Sequence, residues 1–123
     1  MSCKCECECK ASGEITFSEY AKSAGLTAIY PNRGSNIIYP TLGLSGEVGE
    51  ISEKIKKMIR DENGEMSEER RQALKKELGD VMWYLAAMCH ELGFEMGDVA
   101  EANIEKLYSR MNRGKIKGNG DDR

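Results

Sequence analysis

No run of about 18 apolar residues, the length that crosses a bilayer as a helix, occurs anywhere in the 123-residue chain. The N-terminus also lacks the apolar centre of a secretory signal, which leaves the cytoplasm as the expected compartment. Histidine is nearly absent. His90 stands alone, and one imidazole cannot supply the two Glu-x-x-His motifs of a di-iron carboxylate site. It reads as a helix-surface residue, since no Ser or Cys has a matching histidine and acid for nucleophilic catalysis. A Walker-type phosphate loop is missing too. Nor is there a basic surplus. The net charge is −3 and the pI about 5.3, so partners are expected to be neither nucleic acid nor membrane.

Cysteine is present but badly placed for stapling a fold. Four of the five cluster at Cys3, Cys5, Cys7 and Cys9, and the fifth, Cys89, reads as a small hydrophobe. Disulfides spread through a fold are therefore not expected to hold it together. Residues 1–13 are read as a Cys-rich tail, disordered or binding a soft metal, with an edge strand as a further alternative. None of these is needed for the chemistry below.

What the chain does have is helix. Its apolar fraction is 40% and its charged fraction 32%, as in a soluble, helix-rich domain of a single core. One pattern is written twice. Leu44, Glu47, Val48, Glu50, Ile51, Lys54 and Ile55 are followed, 30 residues on, by Leu74, Glu77, Leu78, Asp80, Val81, Tyr84 and Leu85. The apolar members step by 4, 3 and 4, the stripe of an amphipathic helix. The acids step by 3, so each pair lies about one turn apart on one face.

At about 100° per residue, both acid pairs fall on the same side of their stripes. Antiparallel packing of the stripes brings Glu47, Glu50, Glu77 and Asp80 together at the edge of an apolar seam. A single Glu-x-x-Glu is commonly a solvated face. Two copies in matched register repel strongly unless a cation joins them. Oxygen donors alone suit Mg²⁺, or Mn²⁺, and Mg²⁺ commonly recruits substrate phosphates.

Gly43-Leu-Ser-Gly-Glu-Val-Gly-Glu50, with Glu77-Leu-Gly-Asp80-Val-Met-Trp-Tyr84, resembles the MazG-type all-α nucleotide pyrophosphohydrolases. Their hallmark is an ExxE pair on one helix and an ExxD pair on the next, and the 26 residues between, 51–76, suit it. Some members carry a further Glu before the first pair, where this chain has Gly46. The resemblance implies an all-α NTP pyrophosphatase-like bundle that uses Mg²⁺ to hydrolyse (deoxy)nucleoside triphosphates to monophosphate and pyrophosphate. It implies Glu47, Glu50, Glu77 and Asp80 as metal ligands and catalytic residues. It also implies that Asn103 and Lys106 approach the triphosphate. The alternatives are a non-catalytic helical interaction module, or a relative specific for dUTP or phosphoribosyl-ATP.

Other residues have two readings each. Lys54 either pairs with Glu50 within its helix or aims at a phosphate. Tyr84 either packs or orients a carboxylate or phosphate. Asn103, Lys106 and Arg110 step by 3 and 4 along the last helix, as a solvated face or a substrate-facing stripe. Residues 114–123 form a Gly-rich basic tail, either a phosphate flap or a solubilising end. The domain proper is expected at 14–113.

Four helices are anticipated: one capped by Thr16 and running to about Ala28, then two bearing the motifs, then one from about Gly97. The first motif helix is expected to be capped by Thr41 and to run to about Arg60. The second is expected to be capped by Ser67 and to end at Gly93. Residues 81–88 are apolar almost all round, with Met82, Trp83, Ala86 and Ala87 facing away from the seam. A four-helix core completed by a second copy, in a homodimer or homotetramer, is the expected remedy. Trp83 would be an oligomer contact or a base-stacking platform.

Overall fold

A computed structural model of the chain describes residues 13–114, which form four α-helices with no strand among the described residues. They are α1 Phe17–Gly25, α2 Ile38–Asp61, α3 Glu68–Leu92 and α4 Met96–Asn112. The all-α expectation holds. The cluster of Cys3, Cys5, Cys7 and Cys9, and the segment 115–123, lie outside the described residues.

Capping explains most of the boundaries. Thr16 Oγ1 accepts from Glu19 N at 3.1 Å and starts α1 as expected. The helix stops at Gly25, earlier than anticipated, because the chain tightens there. Thr27 N and its Oγ1 both donate to Ala24 O, at 2.9 and 2.7 Å, and Ala28 N donates to Gly25 O. Ser67 Oγ accepts from Arg70 N at 3.1 Å, with Glu68 and Glu69 in the first turn of α3. Arg70, at the place a capping box gives to Glu, pairs across the turn with Glu62 at 2.5 Å. Gly93 ends α3 in the left-handed region at φ 76°, and Phe94 N donates to Cys89 O at 2.9 Å.

The start of α2 differs from expectation. It begins at Ile38, and Asn36 Oδ1 accepts from Tyr39 N at 3.1 Å in its first turn. Pro40 lies inside that turn, where a missing N–H costs no helical bond. Thr41 is therefore not the cap; its Oγ1 donates back to Ile37 O at 2.7 Å.

α2 and α3 form a long antiparallel hairpin, α1 packs across α3, and α4 packs on α1 rather than on the hairpin. Gly97 N donates to Ser18 Oγ at 3.1 Å, and a Cβ on Gly97 would stand 2.7 Å from that oxygen. The beginning of α4 thus sits directly on α1. Tyr30, Pro40, Ala86, Ala87, Met96 and Arg110 are buried.

This corrects one expectation about α3. Its face away from the seam does not wait for a second copy, because α1 and the turn after it cover Ala86 and Ala87. Trp83 is half-buried there, and its Nε1 donates to Thr27 Oγ1 at 2.8 Å. Four helices were expected to be too few to cover this face, because periodicity does not show that α1 folds back onto it.

Candidate active site

Two side-chain contacts set the register of the hairpin. Lys54 Nζ lies 3.3 Å from Glu77 Oε1, and Gly43 lies under the ring of Tyr84. Moving forward along α2 moves backward along α3, so the ExxE and ExxD pairs meet in the middle. Glu47, Glu77 and Asp80 each offer one carboxylate oxygen, and these oxygens lie within 4.8 Å of one another. Glu47 and Glu77 are half-buried and Asp80 is exposed.

Glu50 is not part of this trio. It is exposed one turn along α2 and reaches the group through its charge. Burial, then the hydrogen bond with Glu77, then the charges of Asp80, Glu77 and Glu50, push the Glu47 carboxyl above the usual carboxylate range. Crowded acids that resist ionising together, with oxygen donors only, fit a hard divalent cation. The donor set matches the group that the resemblance implies.

Lys54 does not pair with Glu50 within its own helix. It reaches across the hairpin to Glu77, with both side chains largely covered. That places one positive charge at the edge of three negative ones. Tyr84 packs, the first of its two readings. Its ring packs on the α2 backbone at Gly43, and its phenol stands close enough to the acids to feel them. Burial first, then Tyr39, Glu47 and Asp80, push that phenol up.

Two tyrosines were missed as neighbours of the site. The Tyr20 phenol of α1 is pushed up by burial and then by the charge of Asp80. Tyr39 lies with its ring centroid 6.5 Å from that of Tyr84 and stacks on Tyr30 at 4.8 Å. The only signal for Tyr39 was its place in the segment leading into the first motif helix. Tyr20 read as one member of an apolar packing face.

Asn103, Lys106 and Arg110 are carried by α4, which packs on α1, whereas the trio lies on the α2–α3 hairpin. Asn103 and Lys106 line an open groove along α4 with Phe94, Asp98, Val99 and Ala102. Arg110 is only 4% exposed, so its stripe is not a uniformly solvated face. Among the described residues no helix is long and apolar enough to cross a membrane.

The contact at Gly43 yields a prediction. A Cβ there would stand 2.1 Å from Tyr84 Cε1, so the ring must leave. Ala in mid-helix gains about 1 kcal/mol over Gly. Overpacking costs about 1–3 kcal/mol, so the clash is expected to win. Gly43→Ala should lower the melting temperature by several degrees, and Gly43→Ala/Tyr84→Ala should recover it. A single variant as stable as the parent would show that the ring yields freely.

A family model described as the MazG nucleotide pyrophosphohydrolase domain matches residues 40–114. The Gene 37 protein of Mycobacterium phage L5 is 45% identical over 109 residues, covering 85% of this chain and 96% of the phage protein. No solved structure matches.

Proposed function

Because the chain belongs to the MazG nucleotide pyrophosphohydrolase family, we propose that it hydrolyses (deoxy)nucleoside triphosphates to monophosphate and pyrophosphate with the help of Mg²⁺. The observation that carries this reading is the trio of Glu47, Glu77 and Asp80, drawn from two helices into a 4.8 Å cluster. These residues would hold the ion, with Glu50 extending the acid set toward solvent; Mn²⁺ suits the same donors. Once bound, the ion supplies charge neutralisation for a polyphosphate and acidifies water.

The protein's own groups do the rest. A carboxylate of the first pair accepts the proton of the attacking water. Lys54, already at the edge of the cluster, would be available to a phosphate oxygen if the carboxylates held an ion. Tyr84 orients a carboxylate or phosphate from its seat on Gly43. Cβ atoms on Gly46, Gly49 and Gly79 would meet nothing, so the helix surface beside the acids is open to a triphosphate.

The working form is a homo-oligomer. Asn103 and Lys106, on the helix that packs on α1 and away from the acid-bearing hairpin, approach the triphosphate held by a second copy.

The test is a panel of (d)NTPs, with dUTP and phosphoribosyl-ATP included, incubated with Mg²⁺ or Mn²⁺. Pyrophosphate and the monophosphate should appear together, without orthophosphate, and chelation should stop the reaction. Turnover of one panel member alone would mark a specialised relative. Ion binding with no turnover of any member would leave a non-catalytic interaction module and sink the reading.

A further inference from the structure

Glu91 lies in the last turn of α3, beyond both acid pairs, yet its carboxylate is among the most heavily engaged groups of the fold. Oε2 accepts from Tyr30 Oη and from Gly34 N, each at 2.7 Å, and Oε1 accepts from Asn36 N at 2.5 Å. All three donors come from the segment between α1 and α2, at sequence separations of 55 to 61. Two are loop amides with no helical carbonyl to serve them. A single carboxylate thus stands where a strand or a cap would otherwise be needed. Burial, and next the hydrogen bond to Glu91, push the Tyr30 phenol up to about 12, so that it stays a donor.

The clamp is transmitted onward. Asn36 is held by Glu91 through its N–H, while its side chain accepts from Tyr39 N and donates to Pro31 O at 2.8 Å. Tyr30 stacks on Tyr39 with planes 10° apart, and Tyr39 leans toward Tyr84, which sits beside Glu47. From Glu91 to Tyr84, every step is a hydrogen bond or a ring contact, and the Tyr84 phenol in turn feels the charge of Glu47. Tyr39 keeps 43% of its surface open at the end of that chain, next to the place a triphosphate would occupy.

We propose that Glu91 is a positioning residue for substrate binding: by holding Tyr30 Oη and the amides of Gly34 and Asn36, it fixes the Tyr39 ring as the wall against which the nucleoside part of the substrate lies. It rests on the triphosphate reading above. Glu91 touches neither the acids nor the reacting phosphate, so its loss acts on KM and leaves kcat nearly alone. A group needed merely for folding would lower the active fraction, and with it kcat, at unchanged KM.

The experiment compares the full-length parent with Glu91→Ala and Glu91→Gln. Hydrogen exchange at Gly34 and Asn36, and tryptic cleavage after Arg33, report the clamp without any turnover. Trp83, the single tryptophan, has its ring 6.4 Å from that of Tyr30, so its emission reports the same segment. In Glu91→Ala both amides should exchange faster, cleavage after Arg33 should accelerate, and the Trp83 emission should shift. KM should rise about tenfold with kcat changed less than about threefold, as for lost positioning rather than lost chemistry. The affinity for an α,β-methylene triphosphate, measured by calorimetry, should weaken in step with KM. Glu91→Gln, which keeps one acceptor, should fall between the two. Unchanged exchange, or a fall in kcat at constant KM, would overturn the proposal. A parent that turns over no triphosphate and binds no analogue would instead sink the functional reading, whatever the exchange data say.

Discussion

Glu47→Ala is expected to abolish hydrolysis while leaving the helix content of the hairpin intact. Glu47 is a half-buried member of the trio, with Glu77 and Asp80 as its neighbours. Losing a ligand from such a set removes several kcal/mol of transition-state stabilisation, roughly a thousandfold or more in rate. Folding should not suffer, because the removed carboxyl is one whose charge the folded state resists.

The sign can be followed with pH. The folded-state value of Glu47 is raised above its unfolded value, so the folded protein holds this proton more tightly. In the protein stripped of divalent ions, this group's contribution is present below the ordinary carboxylate range. It is lost as pH rises through the raised folded value. Added Mg²⁺ should offset the loss by binding the ionised form, and Glu47→Ala should show less of either effect. Thermal melts across pH, with and without Mg²⁺, measure this alongside the assay. A Glu47→Ala protein with near-normal turnover would show that the trio is not the reaction centre.

Much of this site was legible because its signals are local. The doubled pattern from Leu44 to Leu85 encodes two helices with acids at one angle, and the hairpin follows from the turn at Asn63 and Gly64, both at positive φ. Thr16, Ser67 and Gly93 act where their chemistry says they should. The family resemblance rested on the same residues and is borne out. What escaped depends on contacts between residues far apart in the chain. Glu50 falls outside the trio because a shared helix face does not fix how far each side chain reaches. Lys54 meets Glu77 rather than Glu50, since the facing helix competes with the intrahelical pair. Glu91 read as the end of a helix; nothing in its neighbourhood announces three donors from a loop 55 or more residues away.

The last expectation is that the chain assembles, at least as a dimer, with a different face buried than periodicity suggested. Trp83, Ala86 and Ala87 are covered within the chain, whereas the two stripes that form the seam are not fully closed. Val48 is 48% exposed, Leu78 56% and Leu85 40%; on α4, Val99, Ile104, Tyr108 and Met111 are similarly open. Burying the remaining half of each such side chain is worth about 1 kcal/mol. Three per copy on the hairpin give about 6 kcal/mol for a pair, which barely meets the low end of the roughly 4–15 kcal/mol cost of association. Adding the four on α4 brings the sum to about 14 kcal/mol, so a stable assembly needs α4 to join the contact. In such an assembly Asn103 and Lys106 are expected to approach a partner's triphosphate. Light scattering at micromolar concentration should therefore give at least twice the 13.7 kDa chain mass, and Leu78→Glu should shift the population toward monomer. Mixing supplies the sharper test. Glu47→Ala is inactive through its acids, and Lys106→Ala should lose about tenfold or more through a missing phosphate contact. Co-refolded together, they should recover activity above either alone, because a mixed pair holds one site with intact acids and a partner's intact Lys106. A stable, fully active monomer, or no recovery on mixing although the copies associate, would place Lys106 outside the site.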